Sequence, residues 1–335
     1  MSVVDLPEWG IDKLRLTDAE KPQPSEGQVL VRLGAASVNY RDYQIVAGQF
    51  APGQALPIIP FSDGAGIVES VAADVTGITA GDRVAPLFFP DWMSGEALGA
   101  ERAISSGLEA PGVLREYAVY DASAVIKVPP HLSDEEASCY PCAGLTAWNC
   151  LTTCSGVRPG DTVLVQGTGG VALMALQFAN AMGANVIITS SSDERLQRAL
   201  ALGADYGINY RDTPEWGVAA KKLTDDVGVD AVIEIGGEGT MEQSIASIRR
   251  GGHINIIGYL AGSGLGLSVF HFIERNAHMH GLSVGNREQF EAMMDFVGKH
   301  RLHPVIGASY KLEQAGQALT DIAAGGHFGK LVVKI

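Results

Sequence analysis

The stretch VLVQGTGGVALMALQFA, residues 163–179, decides the fold. A short apolar run ends at Gly167, and a stretch of helical length follows it. The spacing Gly167-x-Gly169-x-x-Ala172 is typical of a strand–turn–helix unit that binds a dinucleotide. Gly167 would allow the tight turn, Gly169 would let the backbone approach the pyrophosphate, and Ala172 would let the helix pack closely on the strand. The alternative is an ordinary glycine-rich turn. We predict that phosphates bind here on free N–H groups of the helix N-terminus.

Strand-like and helical stretches alternate on both sides of this turn. The apolar runs TVLVQG, NVIITS, DAVIEIG and HINIIGY recur over residues 161–260 with helical lengths between them. This alternation predicts a doubly wound parallel sheet of Rossmann type, covered by helices on both faces. The chain before it reads as β-rich, and the chain after it as mixed structure ending in KLVVKI. We therefore predict an α/β protein with a β domain at 1–127, a dinucleotide-binding domain at 128–264 and a return to the first domain at 265–335.

Composition excludes several classes of protein. With 335 residues the chain is long enough for two domains, and its net charge of −14 argues against binding to nucleic acid or to an anionic membrane. No apolar stretch is long enough to span a bilayer, and the N-terminus has no apolar signal segment. Four cysteines within 16 residues do not resemble a secreted disulfide framework. We expect a cytoplasmic protein that acts on a small molecule.

The residues after the second predicted strand indicate which dinucleotide binds. An NAD site usually has an acidic residue near the end of this strand for the ribose hydroxyls. Here the sequence is NVIITSSSDERL, so Ser190 and Ser191 hold that place and Arg195 lies one helical turn further on. Hydroxyls and an arginine suit a 2′-phosphate, which a carboxylate would repel. We interpret the following Asp193 and Glu194 as the start of a helix. The predicted cofactor is NADP(H).

The chain resembles the medium-chain dehydrogenase/reductase superfamily over nearly its whole length. The resemblance rests on SVNYRDYQIVAGQF, FSDGAGIVESV, GDRVAPLF, PCAGLTAWNCL, QGTGGV, LGADYGINYR and RRGGHINIIGYLAG, in this order and spacing. It implies a GroES-like β domain built from both chain ends and a Rossmann domain, with the cofactor in the cleft between them. It also implies a homodimer. Further cofactor contacts implied by it are Thr146, Tyr210, Gly258 and Tyr259, beside the predicted loop of Gly167, Thr168, Gly169, Gly170 and Val171.

The resemblance implies the zinc-free branch of that superfamily. The three positions that hold catalytic zinc in the zinc branch correspond here to Asn39, Ser62 and Cys142, and Asp63 follows where a glutamate would stand. Only one of them is a zinc ligand, whereas catalytic zinc needs three. Residues 88–115, where a structural zinc lobe would lie, contain no cysteine. We therefore expect no metal, and we interpret the cysteines at 139, 142, 150 and 154 as small buried side chains, Cys142 being a candidate to lie near the nicotinamide.

Asn39 and Tyr40 are the predicted catalytic residues, because the resemblance places them where the metal-binding loop would be. Two structural alternatives stay open: Asn39 could be a helix N-cap, and Tyr40 could be a core residue. The predicted function is hydride transfer from NADPH to quinones or α,β-unsaturated carbonyls without zinc. Phe50 stands near the place where some enoyl-thioester reductases carry a catalytic tyrosine, which argues against that activity. Alternatives are a zinc-free alcohol/ketone oxidoreductase and a non-catalytic NADPH-binding protein.

Overall fold

The computed structural model describes residues 1–264 and 266–335, which form two compact units. Unit 1 comprises Met1–Leu145 with Val284–Ile335, and unit 2 comprises Thr146–Ser283. The predicted order of segments matches these units, but both changes of unit come later than the predicted 127/128 and 264/265. The second comes later because residues 278–281 pair with the sheet of unit 2. Residue 265, where we predicted the return segment to begin, lies outside the described residues.

The described residues form short helices and strands throughout. The helices, in chain order, are α1 Tyr40–Val46, α2 Asp134–Ala137, α3 Leu145–Asn149, α4 Gly170–Ala181, α5 Asp193–Ala201, α6 Trp216–Lys222, α7 Met241–Ser247, α8 Val269–Arg275, α9 Arg287–His300 and α10 Ala315–Ala324, with π-helical turns at Tyr140–Gly144 and Cys150–Cys154 and 3₁₀ turns at Ile11–Lys13, Ala100–Arg102, Ala122–Ala124 and Leu312–Gln314. The strands are β1 Ser2–Asp5, β2 Arg15–Asp18, β3 Gln28–Val38, β4 Asp63–Val71, β5 Arg83–Pro86, β6 Tyr117–Asp121, β7 Val125–Lys127, β8 Thr162–Gln166, β9 Asn185–Ser190, β10 Tyr206–Asn209, β11 Val229–Glu234, β12 Ile248–Ile256, β13 His278–Gly281, β14 Ile306–Lys311 and β15 Lys330–Lys334.

Unit 1 is built on a seven-stranded sheet in which β3 is central. The order is β14-β15-β3-β4-β5-β7, and β6 also pairs with β3. Strands β4 and β15 run antiparallel to β3, so that Ser37 faces Asp63 and Val38 faces Leu331 across the ladders. The end of β3 and the beginnings of β4 and β15 therefore meet at one edge of the sheet. This edge carries the polar cluster described below.

Unit 2 is a six-stranded parallel sheet in the order β10-β9-β8-β11-β12-β13. This is the doubly wound Rossmann order, and it confirms the predicted fold class. Strands β8 and β11 are neighbours although β9 and β10 lie between them in sequence, so the winding direction changes at this pair. Ligands of such sheets bind outside the carboxyl ends of the strands at this point. Those ends are Gln166, Ser190, Glu234 and Ile256.

Each unit has its own apolar core. In unit 1, alternate β3 side chains Val29, Val31 and Leu33 are buried in one cluster with Leu319 and Ile322 of α10. In unit 2, the consecutive residues 163–165 of β8 are all fully buried, as expected for a parallel strand covered on both faces. Burying one such side chain stabilises the fold by about 1.5–3 kcal/mol. Among the described residues, none of the helices is long and apolar enough to cross a membrane.

Candidate dinucleotide site and candidate active site

Gly167 makes the turn between β8 and α4. Its φ angle is +75°, a left-handed conformation that favours glycine. A Cβ atom there would also lie 3.1 Å from Cδ1 of Ile235, and the Gly167 N–H donates to the Thr189 carbonyl at 2.9 Å. The backbone angle of the turn therefore favours a glycine, whereas a Cβ atom would only require a small shift of the Ile235 side chain. This agrees with the reason for which the sequence singled out the residue.

The N-terminus of α4 is open to an anion. Gly169 is the N-cap residue in an extended conformation, and no side chain caps the helix. The N–H groups of Gly170 and Val171 in the first turn have no acceptor inside the helix, since the preceding turn is missing. Thr168 is 5 % exposed and completes the loop. The predicted residues 167–171 thus form one continuous loop whose donors could bind phosphate groups.

The residues predicted to contact a 2′-phosphate, Ser190, Ser191 and Arg195, lie at and just after the carboxyl end of β9. Ser190 ends the strand, and the Arg195 Nη2 donates to the Ser191 hydroxyl at 2.9 Å. The Nε atom of Arg195 is buried without a hydrogen-bond partner in the described part of the chain. Asp193 is held away from this role, since its carboxylate accepts from the Asn209 amide at 2.8 Å. The arrangement fits the predicted 2′-phosphate contact.

The remaining predicted cofactor contacts lie in unit 2 at separate places. The Tyr210 N–H donates to the Ser190 carbonyl at 3.1 Å, and the Tyr210 side chain is 42 % exposed. At Gly258 a Cβ atom would lie 2.7 Å from the Ile235 carbonyl oxygen, so a glycine is needed after β12. Tyr259 follows and is half-exposed, whereas Thr146 is buried.

In unit 1, Asn39 is the N-cap residue of α1. The sequence had left this structural role open as an alternative to a catalytic one. Its backbone N–H donates to the Asp42 carboxylate at 2.8 Å. Its side-chain amide has other partners: Oδ1 accepts from the Lys330 Nζ at 2.6 Å, and Nδ2 donates to the Ser62 hydroxyl at 3.3 Å. The cap position and a polar role of the amide are therefore compatible.

A chain of buried hydrogen bonds continues from Asn39. The Ser62 hydroxyl donates to Oδ1 of Asp63 at 2.7 Å, and Oδ2 of Asp63 accepts from the Cys142 N–H at 2.9 Å. Ser62 and Asp63 are fully buried, and Lys330 is 4 % exposed. We call Lys330, Asn39, Ser62 and Asp63 the polar cluster. Three of its four members stand where the resemblance places the metal-binding residues of relatives and the acid beside them.

Burial changes the acidity of the carboxyl groups at this edge. Burial is the main cause that raises the pKa of Asp42 to about 6, and the nearby Asp63 raises it further, while Arg41 opposes the rise. The Asp42 Oδ1 atom has no hydrogen-bond partner in the described chain, and Arg41 Nη1 lies 4.0 Å from it. Burial also raises the pKa of Asp63, with Lys330 the largest opposing influence. Two acidic groups and a buried cation therefore share a region that excludes water.

Tyr40 is not a core residue. Its side chain is 38 % exposed, and its ring lies 5.6 Å from that of Tyr43, centroid to centroid. Phe50 is also half-exposed, with the Arg41 guanidinium 5.7 Å from the ring centroid. The core-packing alternative for Tyr40 is therefore wrong, and its hydroxyl group can be reached by solvent or a ligand.

The four cysteines are free thiols. Cys139 and Cys150 are buried, as predicted, whereas Cys142 and Cys154 are partly exposed. Burial raises the pKa of all four thiols, so each favours its neutral form. Residues 1–264 and 266–335 contain no group of three or more His, Cys, Asp or Glu side chains placed to hold a metal ion.

Comparison with known proteins decides the family. Family models match an alcohol dehydrogenase GroES-like domain at residues 25–130 and a zinc-binding dehydrogenase domain at residues 170–299. A zinc-type alcohol dehydrogenase-like protein of Schizosaccharomyces pombe is 42% identical over 333 residues, covering 97% of this chain and 96% of that protein. The chain belongs to the medium-chain dehydrogenase/reductase superfamily of oxidoreductases. The resemblance seen in the sequence is thereby confirmed.

Solved structures of this superfamily are similar along the whole chain. A putative alcohol dehydrogenase from Sinorhizobium meliloti 1021 is 39% identical with a TM-score of 0.92, and the match covers 100% of this chain and 98% of that one. An NAD-dependent alcohol dehydrogenase is 32% identical with a TM-score of 0.91, and both chains are covered fully. The GroES-like β domain and the Rossmann domain are both confirmed as features of this member of the superfamily.

Two functional candidates in this medium-chain oxidoreductase were missed by reading the sequence. Lys330 was not singled out from the sequence, and its bond to Asn39 joins residues 291 positions apart. Glu234 was read as part of a strand, although it is fully buried and bonded to the backbone N–H groups of Gly236 and Gly237 at 2.8 and 3.0 Å. A charged residue at the end of the apolar run AVIE of β11 was the available signal for Glu234, since charges are rarely buried without partners.

Proposed function

We propose that this chain is an NADPH-dependent reductase of quinones or activated alkenes that works without catalytic zinc. The observation that carries the proposal is the 2.6 Å bond between Lys330 Nζ and Asn39 Oδ1. It puts a buried cation beside the first of the three positions that hold zinc in other members of the superfamily. The catalytic assignment of Asn39 and Tyr40 and the cofactor contacts of unit 2 are part of this proposal, as are a homodimer and a cytoplasmic location.

The donor groups of the polar cluster do not fit zinc. Catalytic zinc binds three ligands that are thiolates, imidazoles or carboxylates. At the matching positions, Asn39 supplies an amide and Ser62 a hydroxyl, and both are already engaged in hydrogen bonds. The third position is Cys142, whose thiol pKa is raised by burial. The ammonium group of Lys330 would also repel a divalent cation, so the site favours metal-free chemistry.

Unit 2 offers the contacts that NADPH needs. The uncapped first turn of α4 supports binding of the pyrophosphate, and Gly167 and Gly169 leave room for it. Ser190, Ser191 and the positive charge of Arg195, whose Nη2 is bonded to the Ser191 hydroxyl, support binding of the 2′-phosphate. When bound, the cofactor supplies a hydride, which carries two electrons. The chain's own groups must then orient the acceptor and stabilise the charge that develops on it.

Quinones and enones suit a site that lacks a metal. As the acceptor takes up a hydride, negative charge develops on its carbonyl oxygen, and preorganised N–H or O–H donors can stabilise this charge. Asn39 has a second amide hydrogen beyond the one given to Ser62, and Tyr40 has a hydroxyl group that is not buried. The acceptor then gains one proton, from water or from Tyr40, which completes a two-electron reduction.

The second candidate is a zinc-free alcohol/ketone oxidoreductase. It is favoured by the names of similar proteins, since the relatives reported above are alcohol dehydrogenases or alcohol dehydrogenase-like. The third candidate is an NADPH-binding protein without catalytic activity, because a fold does not determine a function. The two enzymes differ in acceptor, and the third differs from both by having no turnover.

An absorbance assay at the nicotinamide band separates the three candidates. The purified chain is mixed with NADPH or NADH and with a quinone, an enone or a ketone, each with and without a metal chelator. We expect oxidation of NADPH by the quinone and the enone, weaker oxidation of NADH, and no change with chelator. Turnover of the ketone alone would favour the second candidate, turnover of none would favour the third, and chelator-sensitive activity would refute the absence of zinc.

A further inference from the structure

Lys330 is the first residue of β15 and its ammonium group is buried. It donates to the Val38 carbonyl oxygen at 2.7 Å and to Asn39 Oδ1 at 2.6 Å. An ammonium group has donors and no acceptor. The side-chain atom of Asn39 that faces it must therefore be the oxygen, and the amide nitrogen must face the other way. Lys330 thus determines which of the two amide orientations Asn39 adopts.

The next bonds follow from this orientation. The Asn39 Nδ2 faces the Ser62 hydroxyl at 3.3 Å, and the Ser62 hydrogen is given to Asp63 at 2.7 Å. Donors therefore run in one direction, from the ammonium group through the amide and the hydroxyl to the carboxylate. Reversing the Asn39 amide would place two donors against each other at Lys330 and would leave the Ser62 oxygen without its amide donor. The Asn39 side chain also bonds to the Asp63 carboxylate, which opposes the rise that burial causes in the pKa of Asp63.

The charge of Lys330 also alters the amide as a donor. Hydrogen bonds in a chain polarise one another, by about 10–30 % per bond, and the effect is larger where water is excluded. A cation on the amide oxygen withdraws electron density from the nitrogen, which makes the N–H a stronger donor.

We propose that Lys330 is a positioning residue, which orients the Asn39 amide and strengthens its N–H group as a donor to the acceptor oxygen. The inference rests on the proposed function, since it takes Asn39 as the residue that touches the acceptor. The competing explanation gives Lys330 only the structural task of neutralising the buried carboxylate of Asp63. The two explanations differ in whether the effect of Lys330 on turnover passes through Asn39.

A double-mutant cycle on quinone reduction tests this point. The variants are Lys330→Met, Asn39→Ala and the double variant, assayed with NADPH and 1,4-benzoquinone, with NADPH affinity titrated separately. We expect Lys330→Met to lower kcat at least tenfold, NADPH affinity to change less than threefold, and the double variant to be no slower than Asn39→Ala. Effects that multiply in the double variant, or an unchanged kcat in Lys330→Met, would overturn the proposal.

A conservative variant covers the case in which Lys330→Met does not fold. In Lys330→Arg the guanidinium group is also donor-only, so the amide orientation is preserved and kcat should stay within about fivefold of wild type. Lys330→Gln can present either a donor or an acceptor, so kcat should fall further than in Lys330→Arg. Equal kcat values for these two variants would contradict an orienting role.

Nuclear magnetic resonance of the asparagine side chains separates this inference from the proposed function. In protein labelled with ¹⁵N-asparagine, the Asn39 signals are identified by their loss in Asn39→Ala. We expect them to move in Lys330→Gln and to stay near the wild-type position in Lys330→Arg. If they respond in this way while Asn39→Ala keeps its turnover, the orientation stands and the catalytic assignment of Asn39 fails. If they do not respond to Lys330, the inference itself fails.

Discussion

The two units bury acidic side chains with different partners. In unit 2, the donors that bond to Glu234 within the described chain are all neutral. Some of them belong to the segment that follows β11, so the same bonds fix the position of that segment. In unit 1, Asp63 lies in a cluster that contains the cation Lys330, and Asp42 lies 4.0 Å from Arg41. The neutral donors to Glu234 are the N–H groups of Gly236 and Gly237, the hydroxyls of Thr240 and Ser244, and the amide of Gln166 at 2.6 Å.

This difference suggests separate roles for the two networks: a structural role for the hydrogen bonds of Glu234 and a catalytic role for the polar cluster. A carboxyl group bonded to backbone N–H groups fixes the path of the chain, and Ile235 in the fixed segment lies against the Gly167 turn. A cluster with a buried cation can stabilise negative charge on a bound molecule. We therefore assign the Glu234 network to the shape of the dinucleotide loop and the polar cluster to turnover. The outcome of each variant below would support or contradict these separate roles.

The largest effect is expected for Asn39→Ala, because it removes the donor proposed to meet the acceptor oxygen. Loss of one preorganised donor lowers kcat by about 10²–10³. NADPH affinity should stay within about threefold, because the proposed cofactor contacts lie in unit 2. The measurements are steady-state kinetics with a quinone and a fluorescence titration of NADPH. A variant with wild-type kcat would place the chemistry elsewhere.

Asp42→Asn should change how stability depends on pH. The folded-state pKa of about 6 lies above the unfolded value of about 3.9, so between these values the folded state binds more protons. Stability contributed by protonated Asp42 is therefore present near pH 4 and is lost as the pH rises through 6. Two pKa units correspond to about 3 kcal/mol. The variant should lack this loss while keeping the bond to the Asn39 N–H.

Urea unfolding at pH 4, 5, 6 and 7 measures the Asp42 effect as a difference between variant and wild type. Using the difference removes the opposite contribution of acids whose pKa is lowered, such as Asp82 and Glu136. We expect Asp42→Asn to gain stability relative to wild type as the pH rises. Parallel pH profiles for the two proteins would mean that Asp42 titrates normally.

Glu234→Gln should weaken the dinucleotide loop more than it affects turnover. The substitution keeps the size but puts an NH₂ group against donors, and each unsatisfied buried group costs about 1–3 kcal/mol. We expect about 2 kcal/mol less stability in urea and weaker NADPH binding, with kcat at saturating NADPH nearly unchanged. A fall in kcat as large as that of Asn39→Ala would show that the two networks do not have separate tasks.

Local features of both units could be predicted from sequence, whereas the long-range pairs could not. The turn at Gly167 and the cap at Asn39 follow from rules that act within a few residues. The bond from Lys330 to Asn39 depends on β15 lying beside β3 at a particular register. Nothing in the spacing of residues 291 positions apart gives that register. The exposure of Tyr40 was also open, because a short helix with two tyrosines does not reveal which ring faces the core.

Ser190→Asp should put a carboxylate at the carboxyl end of β9, where wild type has a hydroxyl group. Two like unit charges at ~4 Å interact by about 4 kcal/mol at an effective dielectric of 20, and solvent screening leaves part of this. We expect NADPH to bind at least tenfold more weakly and NADH to bind as well as before or better. Ser190→Ala is the control for loss of the hydroxyl alone. Equal losses for both cofactors in Ser190→Asp would contradict the 2′-phosphate assignment.

Tyr40→Phe is expected to have the smallest effect, and its dependence on the acceptor is what matters. The substitution removes only the hydroxyl group, and the ring is 38 % exposed, so stability should hardly change. A quinone can take its proton from water after hydride transfer, so its kcat should change less than about twofold. An enone needs a proton on carbon and should lose more, about tenfold, because water can replace part of a general acid catalysis that is typically about 10²–10⁴-fold.

Comparing the two acceptors also tests whether Asn39 and Tyr40 have different roles in the reaction. If Asn39 stabilises the acceptor oxygen and Tyr40 supplies the proton, Asn39→Ala should slow both acceptors, whereas Tyr40→Phe should slow the enone alone. A solvent isotope effect on enone reduction should then be present in wild type and altered in Tyr40→Phe. Equal slowing of both acceptors by Tyr40→Phe would instead give Tyr40 a role in binding. Because the hydroxyl is within reach of solvent, water would then be the proton donor for both acceptors.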